Sequence, residues 1–221
     1  QTLNLGRLAA DADTANTDLE FELGDVPDGF SASLENDVVL TASAALDTQP
    51  GTSVALPYIV SDGVNESVEG TITLTATSSQ APLIVANDDA IGEINQGDSQ
   101  TVPVLDNDTN PFPGGDRTIV DWFVQTGSGG VEASGDSLVV TPAADYVGQL
   151  VIVYTVADDT EDPERWAQAR VTAVVLGSPE VPARPAIGEE GNRQVTIDIS
   201  PPQDNGSPIT SYEVTASGGP T

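Results

Sequence analysis

Residues 86–117 read A-N-D-D-A-I-G-E-I-N-Q-G-D-S-Q-T-V-P-V-L-D-N-D-T-N-P-F-P-G-G-D-R, a linker followed by two short strand patterns and an acidic loop. Asn87, Asp88 and Asp89 close one repeated unit and open the next. After the β-type run 101–105 come Asp106, Asn107 and Asp108, then Pro111, Pro113, Gly114 and Gly115. Proline fixes φ, and glycine admits the backbone angles of tight turns, so the chain must reverse there. Acids gathered where one β-unit ends and another starts predict a junction governed by charge.

Working outward, the 221 residues allow one to three domains, and a 38% hydrophobic content is enough for real cores. The apolar residues are chiefly Val, Leu, Ile and Ala, mixed with Thr and Ser and with 21 Gly and 16 Pro, a composition that favours strands and turns over helices. No stretch approaches the roughly 18 uninterrupted apolar residues of a membrane helix, and no basic region precedes an apolar one as in a signal peptide. The strand-like pattern that begins at Thr2 predicts that the chain opens inside a module, as an excised internal fragment would.

Thirty-five acids against six arginines, with no histidine, give a formal charge of -29. Such a surface repels nucleic acid and anionic membranes, with a field that decays over roughly 8 Å at physiological salt. Its partners are cations, basic surfaces or neutral glycans, and the charge also serves solubility. With no cysteine, disulfides and thiolate chemistry are excluded. With no lysine, so are Lys–Asn isopeptide crosslinks, which leaves packing, hydrogen bonds and metal to hold the modules. Arginine used to the exclusion of lysine is what a high-GC genome, such as an actinobacterial one, produces.

Residues 1–82 alternate short apolar strings with turn signals. Strands are expected at 2–8, 19–23, 30–33, 38–43, 53–60 and 67–77, a spacing and punctuation that read as a β-sandwich. Residues 83–178 repeat the plan: Asp37-Val38-Val39-Leu40-Thr41 returns as Ser137-Leu138-Val139-Val140-Thr141, and Tyr58-Ile59-Val60-Ser61-Asp62 returns as Tyr154-Thr155-Val156-Ala157-Asp158. The two tyrosines stand one module apart, so the repeat is tandem. Each tyrosine either ties its phenol to a neighbouring backbone group, as at the corner of Greek-key sandwiches, or fills the core edge. Gly127-Ser128-Gly129-Gly130 reads as a hairpin turn. Alternation makes Trp122 and Trp166 core residues before sugar platforms. Residues 177–185, G-S-P-E-V-P-A-R-P, form a semi-extended linker. Beyond it, within 179–221, runs at 194–200 and 209–216 read as two strands around a wide turn.

The middle unit resembles the cadherin-like and immunoglobulin-like repeats of large bacterial surface proteins. The likeness rests on Ala86-Asn87-Asp88-Asp89, Gly97, the run Thr101-Val102-Pro103-Val104-Leu105-Asp106-Asn107-Asp108-Thr109, and Pro142-Ala143-Ala144-Asp145-Tyr146-Val147-Gly148 leading to Tyr154-Thr155-Val156. Where such repeats continue with an Asp/Gly-rich string, this chain has Asn110-Pro111-Phe112-Pro113-Gly114-Gly115. The first unit looks like the same family without its opening strand. Residues 185–221 are similar to the front of a fibronectin type III module, through Pro201-Pro202, Asn205-Gly206-Ser207-Pro208-Ile209 and Ser211-Tyr212-Glu213-Val214, with Ile199 where that family has a core tryptophan. The resemblance implies an all-β chain of tandem Greek-key sandwiches, extracellular or on the bacterial cell surface.

In such a sandwich the loops 106–116 and 158–164 would lie at the end where the chain enters. Asn87, Asp88, Asp89, Asp106, Asp108, Asp158 and Asp159 are therefore the candidate ligands of a cation at the junction of the first two domains. Carboxylates in contact repel, by about 1 kcal/mol per pair in water. Calcium, which takes six to eight oxygens, would neutralise them; equally, Arg117 and Arg165, next to Asp116 and Glu164, would do so with no ion. Asp11, Asp13, Asp62 and Glu66 would form the matching rim of the first unit.

Without histidine or cysteine, only paired carboxylates could support catalysis, and these acids sit on turns, so no enzymatic activity is expected. The leading expectation is a structural spacer of a multidomain bacterial surface or secreted protein, whose partners are the adjacent domains of its parent chain. Against it stand an adhesive or glycan-binding module that contacts a host or neighbouring-cell protein or glycan, and an accessory region of a secreted polysaccharide-degrading enzyme.

Overall fold

The computed structural model describes residues 1–12, 14–16, 18–65, 67–160 and 162–215. The chain divides into two compact units, Gln1–Ile84 with Asn110–Arg117 and Ala157–Trp166, and Val85–Thr109 with Thr118–Val156 and residues 167–221. Nearly all its regular structure is β, as expected.

The first unit contains β1 (Thr2–Asn4), β2 (Glu20–Leu23), β3 (Phe30–Glu35), β4 (Val39–Ala44), β5 (Ser53–Ser61) and β6 (Val68–Thr75). They form two three-stranded sheets in the orders β1-β4-β3 and β2-β5-β6, antiparallel throughout. Alternation along the strands turns one apolar set inward: Leu5, Leu19, Phe21, Leu40 and Leu56 form the buried core, with Leu34, Tyr58, Ile72 and Leu74 packed half-buried against it. Asn36 and Asp37 at the β3–β4 turn have φ of 50° and 57°, left-handed angles that their short polar side chains tolerate. The strand expected at 2–8 is shorter than its pattern. After Asn4 the chain tightens into a 3-10 turn, Leu5–Arg7, whose Leu5 carbonyl accepts from Leu8 N at 2.9 Å. That turn swings Leu5 into the core at 1% exposure.

The second unit contains β7 (Asp89–Asn95), β8 (Gln100–Val102), β9 (Thr118–Thr126), β10 (Gly129–Ser134), β11 (Ser137–Pro142), β12 (Gly148–Ala157) and β13 (Ala167–Leu176). One sheet runs β10-β11-β8 and the other β7-β13-β12-β9, with β7 parallel to β13. Leu138, Val140, Leu150, Ile152, Tyr154, Val156 and Val171 are almost wholly buried between them. The Gly127–Gly130 stretch is not a hairpin turn. It carries the chain from one sheet to the other, because β9 and β10 belong to different sheets, and Gly127 takes a φ of 97° at the crossing.

Past residue 178 the expected strand pair is displaced. The ladder joins β14 (Ala186–Gly191) to β15 (Gln194–Asp198) across Asn192 and Arg193, with Arg193 at a φ of 66°. Residues 209–215 are not strand, and residue 216 of the expected second strand lies outside the described residues. A close turn is reached with less loop-closure entropy than the wide Pro/Asn/Gly turn that the sequence suggested. Ile187 and Ile197 remain 71% and 42% exposed, so this hairpin has no core of its own.

Candidate functional site

Two polar nodes take up the candidate residues, one in each unit. In the second unit, β12 points Tyr154 inward at 0% exposure. Its hydroxyl lies 2.8 Å from Asp89 Oδ2, 3.0 Å from the Asn87 carbonyl and 3.1 Å from the Val104 carbonyl. This is the phenol-to-backbone tie raised from the sequence. One proton faces three acceptors, so the node is short of donors. Burial pushes the Asp89 carboxyl above its ordinary value, against the pull of bonds from Tyr154 and Asn107, and the charges of Asp88 and Asp106 add to the rise. Burial, then the bond to Asp89, pushes the Tyr154 phenol up as well. A phenol so placed stays protonated and serves as a fastener, not as an acid or base.

Around Tyr154 the acidic string is bound internally. Asn87 N donates to Asp108 Oδ1 at 2.7 Å and Asn87 Nδ2 to the Asn107 carbonyl at 2.7 Å. Asn107 Nδ2 donates to Asp89 Oδ1 at 3.1 Å and to the Asp88 carbonyl at 3.3 Å. Arg170 N donates to Asp88 Oδ1 at 2.8 Å. A bridge between Val85 and Thr109 closes the base of the loop. Asp106 is exposed, its backbone N–H donating to the Pro103 carbonyl.

Asp158 and Asp159, the other two candidate ligands, belong to the first unit. Asp158 Oδ2 accepts from Arg165 Nε at 3.0 Å and Nη2 at 2.8 Å, while its Oδ1 accepts from the backbone and hydroxyl of Thr160. Burial opposes charge on Asp158. The bonds from Thr160 and Arg165 outweigh it and hold the carboxyl below the usual range. Arg165 is itself 2% exposed. Its Nη1 donates to the Ser79 and Ala81 carbonyls at 3.1 and 3.0 Å, its Nη2 to the Pro82 carbonyl at 2.8 Å, and the Phe112 ring centroid lies 5.3 Å from its Cζ. The local sequence sets this up: Asp162 caps the short 3-10 helix Pro163–Arg165 by accepting from Glu164 N, and proline occupies the first helical turn. Asp159 ties down a second loop, accepting from Asp116 N at 2.8 Å and Asn110 Nδ2 at 3.2 Å.

Of the two ways to neutralise these acids, the arginine route is thus built at Asp158. Among the described residues no three His, Cys, Asp or Glu side chains are grouped so as to hold a metal ion. On the expected rim of the first unit, Asp62 accepts from Asn65 N and Val64 N, both at 2.8 Å, and from Asn65 Nδ2. Those bonds, the Asn65 backbone first, hold its carboxyl at about 2. Asp11 accepts from Thr14 N; Asp13 and Glu66 lie outside the described residues. Neither tryptophan is in a core. Trp122 is half-buried, its indole N–H donating to the Val131 carbonyl at 3.1 Å, and Trp166 is 38% exposed. The alternation argument fails at Trp166 because that residue caps the 3-10 helix and precedes β13. What the sequence hid was the role of Arg165: the Asp-Pro-Glu-Arg string announces a capped turn, but nothing in it names the three carbonyls that the guanidinium takes.

The Bacterial Ig domain family matches residues 79–174. Among solved structures, an endo-fucoidan hydrolase of glycoside hydrolase family 107 is similar at 16% identity over 73% of this chain and 24% of its own, with a TM-score of 0.32. The human desmocollin-1 ectodomain is similar at 16% over 78% of this chain and 37% of its own, with a TM-score of 0.32. A three-Ig segment of titin is similar at 8% over 88% of this chain and 72% of its own, with a TM-score of 0.36. The chain thus spans about a quarter of the hydrolase. No curated protein matches it. Among the described residues no helix is long and apolar enough to cross a membrane. The described strands build β-sandwiches, and residues 79–174 of the chain match the bacterial Ig domain family.

Proposed function

We propose that the chain is a non-catalytic spacer of a multidomain extracellular bacterial protein, in which the segment joining β6 to β7 is kept stiff by hydrogen bonds and arginine, without calcium. The observation that carries this reading is the buried Arg165, which commits three of its five hydrogen bonds to the carbonyls of Ser79, Ala81 and Pro82. Farther along the same segment, Tyr154 takes the Asn87 carbonyl and the Asp89 side chain. Each unit therefore fastens the stretch of connecting chain that belongs to it. A flexible tether would leave these carbonyls to water. The polar groups are also spent on structure: Asp158 on Arg165 and Thr160, Asp89 on Tyr154 and Asn107. In a chain with neither histidine nor cysteine, this supports the absence of catalysis.

Limited proteolysis tests the proposal. The parent chain resists cleavage between residues 78 and 88, and Arg165→Gln opens that stretch while the strands stay protected. Equal cleavage of parent and variant there defeats the spacer reading.

A glycan-binding role has one observation in its favour, the 38% exposed Trp166. A change of Trp166 emission on titration with neutral oligosaccharides would support that role.

A further inference from the structure

Of the ten asparagines in the chain, only Asn205 is followed by glycine. Asn205 and Gly206 take φ of 51° and 86°, the paired left-handed angles of a type I′ turn, and Ser207 N closes the turn on the Asp204 carbonyl at 3.1 Å. This turn sits against the end of β13. A Cβ on Gly206 would stand 2.8 Å from Leu176 Cδ2, and a Cβ on Gly177 would stand 3.4 Å from Asn205 Cβ. Three hydrogen bonds make the contact a clasp: Asn205 Nδ2 donates to the Ser178 carbonyl at 2.8 Å, Gly177 N to the Asn205 carbonyl at 3.0 Å and Glu180 N to the Gln203 carbonyl at 3.0 Å. All these residues belong to the second unit. The stretch that leaves β13 is thus fastened to a turn that follows Ser178 by 27 positions.

Asparagine before glycine has a reaction of its own, because glycine has no side chain to shield its nitrogen. That nitrogen gives up its proton to solvent base and attacks the asparagine Cγ. A new Cγ–N bond forms, the Cγ–Nδ2 bond breaks, and Nδ2 leaves as ammonia. Water then opens the cyclic imide at either carbonyl, giving aspartate or isoaspartate, the latter with one more carbon in its main chain. Water is the co-reactant, and nothing is oxidised or reduced.

We propose that Asn205 is a site of this self-modification, and that the reaction releases the segment from Gly177 to Glu180. While the clasp is shut, both reacting groups are engaged, Asn205 Nδ2 on the Ser178 carbonyl and Gly206 N on Asp204 Oδ1 at 3.2 Å. Attack therefore waits for local opening of the turn. Afterwards the clasp cannot re-form, since a carboxylate has no proton to give the Ser178 carbonyl and stands beside the acidic Asp204. Isoaspartate also displaces the carbonyl that Gly177 N meets. The joint is one-way, held until Asn205 reacts and free from then on. The inference is independent of the spacer reading, because an adhesive module would carry the same turn.

The test incubates the full 221-residue protein at mildly alkaline pH, follows each asparagine by peptide mass spectrometry, and measures amide exchange in converted and unconverted chains. Asn205 converts ahead of the other asparagines, and about tenfold faster when urea unfolds the chain. In converted chains, and in Asn205→Asp, exchange at Gly177 and Glu180 quickens about tenfold while the β12 amides keep their protection. An Asn205 that stays intact in the folded chain over the time that converts it fully in urea overturns the modification site. Unchanged exchange at Gly177 and Glu180 after conversion, or faster exchange along β12 as well, overturns the release.

Discussion

Replacing Arg165 by methionine keeps most of the apolar stem and deletes the charge. The consequences are set by burial. Arg165 and Asp158 side chains are 3% and 0% exposed in their ion pair, so the substitution strands a carboxylate that water cannot reach, although Thr160 still donates to its Oδ1. Removing one partner of a buried pair costs about 3–5 kcal/mol, most of it the penalty on the abandoned charge. The three carbonyls of residues 79, 81 and 82 lose their donor too, but they can turn to water, so they add little. The cycle separates the two contributions: in Asp158→Asn/Arg165→Met no charge is left unpaired, and about half of the loss returns. Urea unfolding followed by Trp166 emission in a Trp122→Phe background reads the unit that contains both residues, which matters because the two units need not melt together. The pH dependence carries the same signature. The folded Asp158 carboxyl is held below its ordinary 3.8, so its contribution is fully present above that value and is lost as pH falls through the folded one. Should Arg165→Met unfold within about 1 kcal/mol of the parent, or the double variant be as unstable as the single, the claim that this pair anchors the segment is refuted.

Asp89→Asn tests the opposite sign. The Asp89 carboxyl is raised above 3.8, so the fold favours its neutral form, an advantage present below 3.8 and lost as pH rises through the folded value. The asparagine variant melts at or above the parent at neutral pH, and the difference shrinks as the parent's carboxyl is protonated; a clear loss of stability at neutral pH would contradict this. Gly70→Ala puts a Cβ 2.4 Å from the Tyr58 ring, so the ring must leave its place at a cost of about 1–3 kcal/mol. Gly130→Ala meets nothing within 4 Å and leaves the melting temperature unchanged, and equal melting of the two variants would remove the packing argument. Calorimetric melting in calcium and in chelator gives coincident curves, and a rise with calcium would restore the cation at the acidic strings.

How much of this was legible in the sequence depends on range. In the first unit, alternation found most strands to within a few residues, because the period of two is enforced wherever one face is buried. The Tyr58/Tyr154 repeat falls on equivalent pairings, opposite Gly70 and Ala169. The pattern misled where a long-range demand won. Leu5 turns out of its strand to reach the core, and the strand expected at 209–216 gives way to the tighter Ala186–Gly191 ladder with Gln194–Asp198. At the acids, the sequence named the residues without their partners. That Asp158 meets Arg165 is a matter of seven positions in sequence; that Arg165 also meets Ser79 and Ala81 spans more than eighty, and no local rule reaches so far. Asn107 shows the same limit. Written between two aspartates it reads as a ligand or a turn residue, whereas its amide donates to Asp89 and to the Asp88 carbonyl and helps to hold the loop.

The two tyrosines give the sequence one further use. A phenol inside a sandwich needs an acceptor, and at Tyr154 the acceptors come from Asn87 and Asp89, at the start of the edge strand β7, and from Val104, just after β8. The opposing residue is small in both units, Ala169 or Gly70, and at Gly70 the ring occupies the space that a Cβ would take. Tyr58 keeps the pair and packs against Phe21 at 6.4 Å between ring centroids, yet its hydroxyl is unmatched among the described residues, and the neighbouring Ile72 and Leu74 are half-buried. The Tyr58 hydroxyl is not among the buried polar atoms left without a partner, so water meets it, and Tyr58→Phe costs less stability than Tyr154→Phe, whose hydroxyl is buried among three acceptors.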